Sequence, residues 1–395
     1  MGGIVALGSV FGKTDGSGKT APRAVLTVIL VALSLAPLFS GLARADNQNS
    51  PMRIIYFEAG PYNDYLKNLL ALAKGLKELE LIEDANAPAP EGEESRETWA
   101  WLSKNAGGEK LVFLEDGFYS GDWDNDQLPG LKEEILGRIE KGEVDLVLAM
   151  GTVAGQLMAT DEHGAFVMSV TATDPVAAGI SKTPESSGLK HVHVQVETGK
   201  IERQLSMFHN AFGFKTLGVP FDSTPEGRAT MGAPTIVKVA ADKGFKINSC
   251  QAELEISDRE KSYQNLLDCL DRLSLESDAI YLTVSNAMDE DRMGPILAPM
   301  IAKKLPTFSQ KGPSETKLGV LMSLAEDDFV SSGRFEAQVI SELLSGNLPG
   351  EINQIYMPPL TMALNFKMAT LIGWNPPFET LATVDELFTD MGAGQ

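Results

Sequence analysis

Basic residues are scarce in this chain of 395 residues, with 33 Lys and Arg against 54 Asp and Glu and a formal net charge of −21. No polybasic face is available to neutralise a phosphate backbone, which argues against a nucleic-acid partner. Cysteine is nearly absent: Cys250 and Cys269 stand without a nearby histidine and make a poor metal site. Only four histidines occur, 163, 191, 193 and 209. His191 and His193 share one face of an alternating strand, where a polar strand face is a simpler reading than a metal pair. The Asp- and Gly-rich stretch 116–130 lacks the spacing of a calcium loop. A G-x-x-x-x-G-K-[ST] phosphate loop is missing, as are a G-x-G-x-x-G turn after the first strand and a G-x-S-x-G elbow. Those absences argue against an ATPase, a dinucleotide enzyme and a serine hydrolase, and no cofactor is expected.

Long apolar runs are confined to the N-terminus. Lys13, Lys19 and Arg23 precede an apolar run over 24–39, which Pro37 interrupts. Ala43, Arg44 and Ala45 then give a small-x-small pattern followed by polar DNQNS. This three-part anatomy is that of a secretory signal (1–45) cleaved near Ala45, and a periplasmic location is expected. A single membrane anchor is the competing reading, but the run falls short of the roughly 20 apolar residues that a span prefers. In an oxidising compartment the two cysteines admit a bridge, because Cys250 ends a predicted strand and Cys269 lies in the next helix. Two separate buried thiols are the competing reading.

What is present after residue 51 is an alternation of strands and helices. The stretch 145–176 shows it best, DLVLAMGTVAGQLMAT followed by DEHGAFVMSVTATDPV. A strand over 145–150 turns at Gly151 and Thr152 into a short helix. A second strand over 165–170 delivers Thr171, Thr173 and Asp174 to a loop. Further strands are expected at 52–57, 111–114, 191–196, 216–220, 246–254, 278–284, 306–310, 318–324 and 351–357. Helices are expected over 62–79, 131–142, 198–208, 228–243, 262–273, 330–344 and 364–372, with a last one over 378–391. This rhythm predicts an α/β fold with mostly parallel sheets. A change of character at 179–188 (GISKTPESSG) reads as a linker. Periodicity alone is compatible with two independent domains or with two interleaved lobes.

Several stretches resemble one family. DLVLAMGTVA (145–154) is similar to a D-L-I-x-x-x-G-T-x-A strand–helix, and TDPVAAG (173–179) to a T-D-P-V-x-x-G loop. KTLGVP (215–220) resembles a K-x-I-G-V strand, and Asn365, Ala369, Ile372 and Gly373 match a terminal helix. In this order, over 52–378, they resemble the solute-binding proteins of ABC transporters, the tryptophan- and tyrosine-associated branch above all. The resemblance implies a type I periplasmic-binding fold of two interleaved Rossmann-like lobes, with lobe 1 at 51–182 plus 306–348 and lobe 2 at 186–305 plus 349–391. It implies a monomer that is not an enzyme. Such a protein captures a small polar ligand, an amino acid or related molecule, and delivers it to a permease with a separate cytoplasmic ATPase. A ligand-binding partner of a membrane receptor would have the same cleft and is the alternative. The sequence departs from the family at Pro220, Phe221 and Asp222, at the acidic exit of residues 325–328, and in the excursion 84–97.

The positions that this arrangement turns toward the cleft are Glu58, Pro61, Tyr62, Thr152, Val153, Thr171, Thr173, Asp174, Ser223, Thr224, Asn286, Glu326 and Asp327. Unpaired backbone N–H groups at the helix start near Thr152 favour an anionic ligand end; Thr152 as a cap of its own helix is the structural alternative. Ser223 and Thr224 before Pro225 and Glu226 also read as a helix start. Asp174 and Glu326 are candidate partners for a ligand ammonium.

Overall fold

The strand β1 (Met52–Glu58) is apolar at five of seven positions and almost wholly buried, as a central strand covered on both faces must be. In the computed structural model, residues 50–88, 95–326 and 328–392 are described. The expected signal segment 1–45 and Asp327 lie outside the described residues. Those described fall in one unit of the chain.

After β1 come α1 (Asn63–Glu78), α2 (Ser95–Asn105), β2 (Leu111–Ser120), α3 (Leu128–Glu140), β3 (Leu146–Met150), α4 (Gly151–Met158), β4 (Phe166–Val170) and β5 (Val192–Val194). Their sheet runs β2-β1-β3-β4-β5, all parallel. Alternation along β1 builds two cores. Ile54 and Tyr56 join the core with Leu69, Leu72 and Trp99, while Ile55 and Phe57 join Ala154, Met158 and Ile135 on the opposite face.

The second sheet begins beyond β6 (Val196–Glu197). Its elements are α5 (Lys200–Phe212), β7 (Thr216–Asp222), α6 (Pro225–Thr230), α7 (Ala233–Lys243), β8 (Lys246–Ala252), α8 (Arg259–Glu276), β9 (Ala279–Leu282), α9 (Met293–Lys303), β10 (Thr307–Ser309), α10 (Pro313–Lys317) and β11 (Met322–Ala325). The chain then leaves for α11 (Val330–Leu344) and β12 (Ile355–Tyr356). It returns through β13 (Thr361–Asn365), α12 (Phe366–Ile372), α13 (Phe378–Leu381) and β14 (Glu386–Phe388). The sheet order is β14-β13-β11-β10-β9-β7-β8, parallel except for the β11–β13 pair. A disulfide joins Cys250 on β8 to Cys269 on α8, with Cα atoms 5.7 Å apart.

The chain passes between the lobes three times, after β5, after β11 and before β13. The helix α11 belongs with the first sheet, because it packs along α1 with backbones in close approach. A Cβ at Gly75 would stand 2.6 Å from the Gly333 carbonyl oxygen, and one at Gly333 would overlap the Ala71 backbone. A buried polar cluster seals this contact: Asn68 Nδ2 donates to Glu336 at 2.8 Å and to Ser332 Oγ at 3.1 Å. The first and third passages are tied by the short parallel pair β6–β12.

The observed pairing moves the sequence-based lobe boundaries. Residues 307–325 were expected in lobe 1, yet β10 and β11 extend the sheet of β7 and β9. The sequence at 191–194 was expected in lobe 2, yet β5 is the edge strand of the first sheet. The stretch 116–120, expected as loop, continues β2 across a register shift that stacks Phe118 on Tyr56. The expected final helix over 378–391 is a single turn followed by β14, and β13 lies where the helix 364–372 was expected to begin.

Candidate ligand-binding site

Strand ends of both sheets face one another across a cavity of about 120 Å³. The first lobe contributes Tyr62 and Tyr65 from the start of α1, Trp123 after β2, Thr152 from the first turn of α4, and Thr171 and Thr173 after β4. The second lobe contributes Glu255 after β8, Asn286 after β9 and Lys311 after β10. The passages between the lobes supply Gln195, Glu197, Glu326, Phe329 and Tyr356. The wall is thus made from both lobes and all three passages. Six non-glycine residues among those described have positive φ, and three of them, Trp123, Thr171 and Phe329, line this cavity. Each such conformation costs about 1–3 kcal/mol, and such strain concentrates at functional sites.

Local sequence explains the placement. Gly151 joins β3 to α4 at φ +82°, and a Cβ there would overlap the Tyr65 hydroxyl. Gly60 likewise leaves room for the Trp123 indole, whose Nε1 donates to the Pro61 carbonyl at 3.0 Å. The N-cap of α4 is Met150, and no side chain caps its first turn. Thr152 lies within that turn, not before it, and accepts from Thr173 N at 3.4 Å.

Of the positions expected from sequence, Tyr62, Thr152, Thr171, Thr173, Asn286 and Glu326 come together around the cavity. The other described positions do not line it. Glu58 shares the β1 face with Tyr56, is buried, and accepts from its hydroxyl at 2.6 Å. Val153 packs into the core with Ala154 and Met158. Thr224 is the N-cap of α6, accepting from Gly227 N at 3.1 Å, and Ser223 N bonds to the Ala252 carbonyl at 2.9 Å. Asp174 sits at the rim, where its carboxylate accepts from Ala177 N and from the Thr235 hydroxyl of the opposite lobe. Glu326 accepts from the Tyr356 hydroxyl at 2.7 Å and from Ser332 N at 3.3 Å. Burial pushes its carboxyl up, against the effect of those bonds.

Sequence reading passed over Glu255. Its carboxyl is buried and accepts on one oxygen from Ser285 Oγ at 2.8 Å and Asn286 N at 2.9 Å. Desolvation pushes it up to about 7, against those two bonds. Beneath it, Asp222 accepts from Leu254 N, Glu255 N, Thr224 N and the Thr224 hydroxyl at 2.6–2.9 Å. The sequence departure at Asp222 therefore has a structural use, since this carboxylate clamps the exits of β7 and β8 together. The available signal was position: Glu255 follows a predicted strand, as the other selected residues do.

The cavity also holds two lysines. Lys311 pairs with Glu290 at 2.7 Å and lies 5.0 Å from the Tyr62 ring centroid of the other lobe. Burial opposes its charge, and the surrounding Tyr62, Asp64, Glu290 and Glu315 more than offset this, holding it above the usual lysine range. Lys200 pairs with Glu197 at 3.6 Å.

No sequence family matches the chain, and no curated protein matches it. Solved structures do. A conserved domain protein from Vibrio cholerae superposes with a TM-score of 0.64 at 17% identity, over 86% of this chain and 100% of that one. An ABC domain from Streptococcus pneumonia in complex with L-Trp gives 0.62 at 16% identity, with the same coverage of both chains. A ligand-free, open substrate-binding protein with adhesive properties from Clostridium difficile gives 0.52 at 16%, again over 86% and 100%. The fold is the two-lobed type I periplasmic-binding fold.

Proposed function

We propose that this chain is the extracytoplasmic solute-binding component of an ABC importer. It captures a small polar ligand, an amino acid or a related molecule, between its lobes and presents it to a membrane permease served by a separate cytoplasmic ATPase. The observation that carries this reading is the cavity walled by both lobes and by all three passages between them. A ligand bound there contacts both halves, so its binding free energy favours the closed arrangement. The uncapped first turn of α4 beside Thr152 suits an anionic end, and Tyr62, Tyr65, Trp123 and Phe329 supply apolar wall. The likeness to an L-Trp complex supports a ligand of this size class. No covalent step is assigned to the site. The segment 1–45 is the export signal of this reading, and no described helix is long and apolar enough to cross a membrane.

A thermal-shift panel of amino acids, sugars, purines and small carboxylates tests the proposal. At least one class should raise the melting temperature by several degrees, and Thr152→Trp should abolish that rise without unfolding the protein. Silence across all classes would overturn it. Loss of uptake of the identified solute on deletion of the gene supports the importer role over a receptor partner.

A further inference from the structure

Three residues that line the cavity carry hydrogen-bond acceptors that have no partner. Glu255 Oε2, Asn286 Oδ1 and Gln195 Oε1 are each buried and unpaired, on residues only 7%, 4% and 7% exposed. Their orientation is fixed by what the rest of each side chain does. Asn286 Nδ2 donates to the Ile256 carbonyl at 2.9 Å, which can only accept, so Oδ1 is left over. Gln195 Nε2 donates to Ser332 Oγ at 2.8 Å, and that hydroxyl is itself committed as a donor to Glu336 at 3.0 Å. Glu255 spends one oxygen on Ser285 and Asn286 N and leaves the other. A buried polar group without a partner costs about 1–3 kcal/mol, so a ligand that satisfies all three recovers much of its binding free energy there.

With Glu255 ionised, the missing partner must donate and need not accept. A primary ammonium has three N–H donors, no acceptor and a positive charge. The charges around the cavity agree. Its two lysines are each paired to a glutamate, whereas the Glu255 carboxylate has no basic partner within ion-pair distance among the described residues. Tyr65, from the opposite lobe, stands close enough to Glu255 to feel its charge. Asp174, selected from sequence for this role, spends both oxygens on Ala177 N and the Thr235 hydroxyl, whereas Glu326 spends only Oε1, on Ser332 N and the Tyr356 hydroxyl, and is a second acid in the wall.

Resting on the solute-binding reading, we propose that the ligand carries a protonated primary amine, held by Glu255 together with Asn286 and Gln195. Asp222 acts as a positioning residue by fixing the loop that carries Glu255.

The test uses matched pairs on the full mature chain: L-leucine and 2-hydroxyisocaproate, L-phenylalanine and 3-phenyllactate, and 1,5-diaminopentane and 1,5-pentanediol. Calorimetry should find at least one amine binding tenfold or more tighter than its hydroxyl partner. Glu255→Gln, checked for folding by circular dichroism, should remove at least tenfold of that preference. The native chain gives a second reading if the variant misfolds. Glu255 faces Ser285 and Asn286 on its own lobe, with Asp222 and Arg259 as charged neighbours, and Tyr65 across the cavity. Amine affinity should fall about tenfold per unit as pH drops from 7 to 5, while that of an uncharged ligand stays flat. Hydroxyl partners that bind as tightly as amines would overturn the assignment, as would a preference or pH profile indifferent to Glu255. Binding by amine-free solutes alone sinks this inference and leaves the solute-binding reading standing. Silence in every class sinks both.

Discussion

Gly151 shows at the scale of one residue how backbone and site depend on each other. Its left-handed φ and the overlap of any Cβ with the Tyr65 hydroxyl act together. Gly151→Ala should destabilise the protein by about 2–4 kcal/mol in urea unfolding, from the positive φ and the overpacking combined. It should also displace Tyr65 and weaken ligand binding, and an unchanged midpoint and affinity would refute this. Residue choice was the least legible feature in the sequence. Tyr62, Thr152 and Asn286 could be picked because they follow predicted strands or open helices. Glu255 follows one too, but nothing local distinguishes it from Asp174 or Glu326. All three find donors in the folded chain, up to 61 residues away for Asp174, and what sets Glu255 apart is a buried oxygen left without one.

Among the elements, two joints invite measurement. The Cys250–Cys269 bridge closes a loop of sequence separation 19 between β8 and α8. Loop-closure entropy assigns it about 3 kcal/mol. Reduction, or the Cys250→Ser/Cys269→Ser pair, should lower the unfolding midpoint accordingly, and an equal midpoint in both redox states would contradict the estimate. At the second joint, Gly333→Ala should force α11 away from α1, because the added methyl meets the Ala71 backbone rather than a movable side chain. A loss of about 2–3 kcal/mol is expected by chemical denaturation. Helices with strong apolar periodicity, such as α1 and α11, were readable in advance. Boundaries failed where tertiary pairing decided the matter. β13 and β14 are short, β14 is the edge strand with β13 beside it, and their sequence reads as readily as helix. The lobe bounds taken from the resemblance placed β10 and β11 with the first sheet, and only their pairing with β9 and β13 moves them to the second.

For the whole molecule, burial of acids sets a pH dependence. Desolvation raises Glu58, Glu255 and Glu315 to about 7 and Glu336 to about 8. A raised folded value means that the native state holds protons the unfolded chain has released. This contribution is complete below about pH 4.5 and is lost as pH rises through 7 to 8. His193, lowered to about 4 by burial, acts in the opposite direction below about 6.5. The raised acids outweigh the lowered histidine over this interval and predict a ligand-free protein more stable at pH 6 than at pH 8, by a few kcal/mol. A melting temperature flat or rising over that interval would refute it. The interleaved topology itself came from resemblance, since alternating strands and helices fit separate domains equally well. The rim contact between Asp174 and Thr235 bears on time rather than affinity. On the proposed reading the two lobes cannot part at this point without breaking that bond, so its loss would bear on how long a captured molecule is held. A membrane partner that parted the rim could then convert slow leakage into prompt release without touching a residue that recognises the cargo.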